Sequence, residues 1–148
     1  MDNARSIPGY KRYLDPATGE PASGFVVFLN IVPDPDRCVN GVLLAVSAED
    51  LTELDRRERN YQRIDVSAHL AEPGDGTVWS YAGSRAAVER FETGRRSDRA
   101  MISRAYRDSV RRGFAALGDE AAVQFDAWTD PPPCPVVALQ RVPVPKAA

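Results

Sequence analysis

The sequence predicts an α+β or mixed-sheet domain. Two observations lead there. About five short β-like runs alternate irregularly with three or four stretches of helical period, which fits neither a regular βαβα order nor an all-β order. No internal repeat and no linker divides the 148 residues, a length that suits a single domain, 1–148, with a proper core.

The elements follow in order. Residues 1–23 are polar, with turn signals at Pro8-Gly9 and at Asp15–Gly19; Tyr10–Leu14 between them predicts a short strand. Phe25–Val32 is a continuous apolar run, rich in β-branched and aromatic residues, as expected of a strand covered on both faces. Pro33-Asp34-Pro35-Asp36 ends it. Val39–Val46 predicts the next strand, with Gly41 marking a bulge, and the short connection predicts an antiparallel pair. Ser47 then offers an N-cap and Asp50 its capping-box partner. In the helix that follows, Leu51, Leu54 and Glu58 share one face, while Arg56, Arg57 and Arg59 fall to the sides and outside. Asn60 ends that helix. Tyr61–Val66 predicts a strand with Gln62, Ile64 and Val66 opposite Tyr61, Arg63 and Asp65.

After a Glu72–Gly76 loop, Thr77–Ala82 predicts another strand, and Arg85–Glu92 a short helix. Gly94–Arg99 is a charged loop. A longer helix is expected over Asp98–Leu117, with Ile102, Tyr106, Val110, Phe114 and Leu117 as its apolar stripe and Gly118 as its C′ residue. Asp119 is expected to cap a last helix reaching Trp128. The Pro-rich tail from residue 130 holds one short strand, Val136–Arg141.

Composition narrows the function. A net charge of −2 and a pI near 5.4 argue against nucleic acid or an anionic membrane as partner. No run approaches the ~20 apolar residues of a spanning helix, and the first residues lack the apolar core of a signal peptide, so a cytoplasmic protein is expected. Cys38 and Cys134 lie far apart without a CxxC spacing; free thiols are the simplest reading, one disulfide the alternative. His69 is the one histidine, which argues against a His-based metal cluster and a Ser-His-Asp triad.

Glu58 leads the candidates for chemistry. A glutamate on the apolar face of a helix is partly desolvated, and desolvation moves a carboxylate toward the range useful for proton transfer. The competing reading is a helix-end ion pair with Arg57 or Arg63. Asp55 borders the same face, either pairing with Glu58 or accepting hydrogen bonds from a neighbouring loop. Tyr61, Tyr81 and Tyr106 offer phenols to a pocket or pack in the core. His69 suits the surface, Cys134 a packed loop. The arginines of 85–112 either take an acidic ligand or form a solvated surface with Glu89, Glu92, Asp98 and Asp108.

At Leu54–Val66, LDRRERNYQRIDV, the chain resembles the gamma-glutamylcyclotransferase-like family, whose motif L-D-x-x-E-x-x-Y-x-R-x-x-V it matches at Leu54, Asp55, Glu58, Tyr61, Arg63 and Val66. PGYKRY, VNGVLLAVSAEDL, TVWSYAG and ISRAYRDSVRRGFAALG resemble further family segments, in order, over roughly residues 7–129. The resemblance implies a small mixed β-barrel with flanking helices. It implies cyclisation of a γ-glutamyl compound to 5-oxoproline with release of an amine or amino acid, as a transferase or lyase. It makes Glu58 the general acid–base, with Tyr61, Tyr106 and Arg63 binding substrate and no cofactor. Family members usually open on a strand ending in a Tyr-Gly-Ser loop that holds the glutamyl carboxylate. No such tripeptide occurs here, and Ala82-Gly83-Ser84 is too far along to serve. The expectation is therefore an N-terminally shortened member lacking its first strand and loop. Two functions stay open: the cyclotransferase, and an inactive relative that binds a small ligand or a protein.

Overall fold

The computed structural model describes residues 1–3, 10–72 and 75–145. The expected Pro8-Gly9 turn and the middle of the 72–76 loop lie outside them. The chain runs β1 (Lys11–Leu14), β2 (Phe25–Val27), α1 (Ala48–Arg57), β3 (Tyr61–Asp65), β4 (Trp79–Gly83), α2 (Arg85–Arg96), β5 (Ala100–Ser103), α3 (Arg104–Ala116), α4 (Asp119–Trp128), β6 (Val136–Val137) and β7 (Gln140–Pro143). This is a mixed α/β architecture, with three separate sheets among the described residues. β1 pairs antiparallel with β7, β3 antiparallel with β4, and β2-β5-β6 form a parallel sheet. Among the described residues these sheets do not join into the closed barrel that the family resemblance implies.

Local chemistry sets several element ends. Ser47 and Asp50 form the expected capping box: the Ser47 Oγ accepts from the Asp50 N–H at 3.1 Å, and the Asp50 carboxylate accepts from the Ser47 N–H at 3.1 Å. Ser84 caps α2 in the same way, its side chain accepting from the Ala87 N–H. Phe114 stacks on Phe125 with ring centroids 4.2 Å apart, fastening α3 to α4.

The core is small. Among the described residues, Val26, Tyr13, Ala22 and Ala100 are its buried apolar members, joined by the buried polar side chains of Asn3 and Ser103. Asn3 is satisfied on both sides of its amide: Nδ2 donates to the carbonyls of Tyr13 and Ala22, each at 2.7 Å, and Oδ1 accepts from the Tyr13 N–H at 2.9 Å. α2 reaches this core through Gly94, where a Cβ would lie 2.8 Å from the Phe25 ring.

Several expectations are corrected. The strand foreseen over Phe25–Val32 ends at Val27, because its partner β5 pairs only Phe25–Val27 with Ala100–Ile102 and turns into α3 at Arg104. Val39–Val46 forms no strand, and no antiparallel pair links it to β2. Apolar content alone does not make a strand; the backbone needs a neighbour to pair with, and none among the described strands adjoins it. Its side chains face outward, with Leu44 78% exposed. The helix expected from Asp98 starts at Arg104. Asp98 adopts a left-handed φ of 53° after α2, and Ala100–Ser103 is drawn into the sheet between β2 and β6. Ile102 therefore belongs to a strand and not to the helical stripe. α2 continues through Gly94 to Arg96, where a charged loop was expected. Gly118, at φ 116°, is the C′ residue of α3 as expected and also the N-cap of α4, so Asp119 is the first helical residue of α4 and not its cap. The expected strand of the tail divides into β6 and β7.

The accessible surface, 10,523 Å², exceeds the roughly 7,500 Å² expected of a folded monomer of this mass. Val39, Val42, Leu43, Leu44 and Val46 are among the side chains responsible.

Two outcomes follow, both measurable by denaturant unfolding. Asn3→Ala strands the Ala22 carbonyl and the Tyr13 N–H in a buried place and should cost about 2–4 kcal/mol. Leu44→Lys removes no buried contact and should change stability by less than about 0.5 kcal/mol, while lowering the binding of a hydrophobic dye.

Candidate active site

The site begins where α1 stops. Glu58 is the helix C-cap, its N–H donating to the Leu54 carbonyl at 2.8 Å, while its own carbonyl accepts from the Tyr61 N–H at 2.8 Å. Helix end and β3 are thus tied through one residue, whose backbone is fixed on both sides. The helix expected to close at Asn60 ends at Arg57, so Glu58, at φ −86° and ψ 48°, stands just past the face that Leu51 and Leu54 form; all three are only half-buried and α1 buries no residue fully. The Glu58 side chain is 29% exposed, and its Oε1 accepts from Arg57 Nε at 2.9 Å. The ion-pair alternative at Glu58 therefore holds with Arg57, its neighbour.

Glu58 lines an open cavity of about 760 Å³ together with Tyr10, Lys11, Arg57, Arg141 and Pro143. The β1–β7 ribbon supplies the opposite wall. Lys11 lies across from Pro143 and Tyr13 across from Arg141. Alternation along a strand then puts Lys11 and Arg141 on one face as diagonal neighbours. The Lys11 ammonium sits 4.4 Å from the centroid of the Phe28 ring. Burial, and then the like charge of Arg141, draw its pKa below the ordinary lysine value.

Phenols gather behind the carboxylate. Tyr61 donates through its hydroxyl to the Leu29 carbonyl at 2.8 Å, and the Tyr106 hydroxyl accepts from the Leu29 N–H at 3.1 Å. One peptide segment past β2 is thus clamped from β3 and from α3. Tyr106 also meets Phe28 edge to face at 5.0 Å. Burial pushes the phenols of Tyr10, Tyr61 and Tyr106 up, and the charge of Glu58 acts on all three in the same direction.

A second cluster lies beside the first. Asp55 accepts from the Tyr81 hydroxyl at 2.7 Å and pairs with Arg63 at 3.2 Å, and the Arg63 guanidinium lies 4.8 Å from the Trp79 ring centroid. Asp55 is thus a hydrogen-bond acceptor, but its donor is Tyr81 of strand β4 and not a neighbouring loop. Of the residues expected at the site, Glu58 lines the cavity, Tyr61 and Tyr106 meet at Leu29, and Arg63 is engaged by Asp55 outside the cavity lining. Tyr10, Lys11 and Arg141 were not singled out from the sequence. Their alternation within β1 and β7 was the available signal, but periodicity does not reveal that a strand at residue 11 pairs with one at residue 140.

The remaining candidates are structural. His69 is exposed at the end of a 3-10 turn, Ser67–His69. Cys38 and Cys134 are both free, and burial raises the Cys134 thiol pKa. Arg85, Arg95, Arg107 and Arg111 pair with Glu89, Glu92, Asp108 and Asp126, as a solvated surface does. Among the described residues, no group of His, Cys, Asp and Glu side chains is placed to hold a metal ion, and no helix is long and apolar enough to cross a membrane.

The carboxylate at this fixed helix end is the glutamate of the motif that runs from Leu54 to Val66. A family model, gamma-glutamyl cyclotransferase, AIG2-like, matches residues 2–99. The chain belongs to this family. The match takes in β1 to α2, and with them Lys11, Asp55, Glu58, Tyr61 and Arg63. It stops before β5, so Tyr106 and Arg141 lie beyond it. No match was found among curated proteins or among solved structures.

The phenols give a signed pH effect. A phenol whose folded-state pKa is raised stabilises fully below its unfolded value, about 10. That stability is lost as pH climbs through the raised value, because the unfolded chain releases the proton first. Stability measured by urea unfolding should therefore fall with pH above about 10, and Tyr61→Phe should flatten that fall.

Proposed function

We propose that this member of the family cyclises a γ-glutamyl compound, releasing 5-oxoproline and an amine or amino acid, with Glu58 as the general acid–base. The observation that carries this reading is the place of Glu58: at a fixed helix end, half-buried, on an open cavity, within the stretch that matches the family.

The chemistry needs one proton carrier. The substrate's α-amino group must be neutral to attack its own γ-carbonyl. Glu58 takes the proton from that nitrogen as the five-membered ring closes. The tetrahedral intermediate then collapses, the bond from carbon to the leaving nitrogen breaks, and Glu58 returns the proton to that nitrogen. Nucleophile and electrophile belong to one molecule, so positioning in the cavity is the protein's other task. Arg57 holds Oε1 at 2.9 Å. Among the described residues no group donates to Oε2, and that oxygen is the one suited to the substrate amine. Tyr61 and Tyr106 serve by holding Leu29 and walling the space behind Glu58. Arg63 reaches substrate only by releasing Asp55, and in the arrangement described it steadies the end of α1.

A second reading is a binding module on the same fold. The Glu58–Arg57 pair favours it, since the guanidinium at 2.9 Å already occupies one carboxylate oxygen, as in an ordinary helix-end ion pair.

The test is release of 5-oxoproline from a panel of γ-glutamyl amines and dipeptides. Wild-type turnover should fall by about 10²-fold or more in Glu58→Gln, the size of a general acid–base contribution. Absence of wild-type release across the panel, with ligand binding indifferent to Glu58→Gln, would leave the binding module.

A further inference from the structure

The cavity holds more positive charge than Glu58 can answer. Lys11, Arg57 and Arg141 face one carboxylate, and Arg57 is spent on it. Among the described residues, neither Lys11 nor Arg141 has a carboxylate partner within 4 Å, although they lie side by side on one face of the β1–β7 ribbon. Two like charges so placed repel each other, and Lys11 is partly stripped of water against Phe28. A bound anion relieves both costs at once.

We propose that Lys11 and Arg141 together form the subsite for the α-carboxylate of the γ-glutamyl substrate. The inference rests on the cyclotransferase reading for the identity of the ligand, and on the cavity for its geometry. An amino-acid head group carries its amine and its carboxylate on one carbon. An amine held at Glu58 therefore brings the carboxylate to another group in the same cavity. Glu58, Lys11 and Arg141 line one cavity, so the two ends of such a head group fall within one site. Lysine contributes a point charge and arginine a planar fork, and a carboxylate accepts from both. These are positioning residues, since neither touches the atoms that react.

Equilibrium binding to the full chain carrying Glu58→Gln tests this without turnover. The probes are γ-glutamylmethylamide and its decarboxylated counterpart, 4-amino-N-methylbutanamide, which lacks only the carboxylate. The first should bind at least about tenfold tighter than the second, as expected when a charge-assisted hydrogen bond is present or absent. Lys11→Met and Arg141→Gln should each abolish most of that preference and leave the second compound unaffected, and Lys11→Arg should restore it. Arg141 is exposed, so Arg141→Gln keeps the test valid should Lys11→Met fail to fold. Equal affinity for the two compounds, no binding of either, or variants that weaken both alike would overturn the subsite. The two readings separate cleanly. Carboxylate-dependent binding through Lys11 and Arg141 with no 5-oxoproline release from the wild-type chain removes the cyclotransferase and supports the subsite. Release with a KM indifferent to both substitutions supports the cyclotransferase and removes the subsite.

Discussion

The side-chain amide of Asn3 is buried among backbone groups that have few other partners. It holds Tyr13 of β1 and Ala22 of the following turn, while its own N–H donates to the Gly24 carbonyl at 3.0 Å, just before β2. Three chain segments are fastened by one residue in a core whose largest fully buried apolar side chain is Val26. So small an apolar core leaves little surplus, and satisfied buried polar groups then carry more of the fold's specificity than usual. The β1–β7 ribbon hangs from this anchor, and the ribbon supplies the cationic wall of the cavity.

The site is assembled from parts remote in sequence. Glu58 comes from the end of α1, Lys11 from β1, Arg141 from β7, and the tyrosine clamp on Leu29 from β3 and α3. Each part is held by a different local device: a helix C-cap, an antiparallel register, and two phenol hydrogen bonds. The result is a charge pattern suited to a zwitterion, with a carboxylate on one side and paired cations on the other. Burial of the surrounding phenols strengthens that pattern by lowering the local dielectric.

Legibility differed by element for physical reasons. The capping box at Ser47 and Asp50, the β3 strand and the end of α4 at Trp128 are set within a few residues, and they stood in the sequence. Phe25–Val32 and Val39–Val46 differ from expectation because apolar content does not supply a pairing partner, and without one Val39–Val46 stays exposed as well as unpaired. Ala100–Ser103 was hidden because four residues that continue a helical stripe are indistinguishable by period from a short strand. The part of the site that rests on a contiguous motif, Glu58 with Tyr61, was legible. Lys11 and Arg141 were not, because no local signal links residues about 130 apart.

The sequence by itself determined the mixed α/β class, the position of α1, the candidacy of Glu58 and the family resemblance, all of which depend on short-range spacing. Only the tertiary structure decided the rest. Strand pairing gave β2 to β5 and β1 to β7, left Val39–Val46 in the open, turned Arg63 toward Asp55, and set Lys11 and Arg141 opposite Glu58. The reason is that backbone pairing and charge placement depend on which segments meet in space. The stretch from Leu54 to Val66 specifies a carboxylate at the end of a helix. What that carboxylate faces is set by strands at the two ends of the chain.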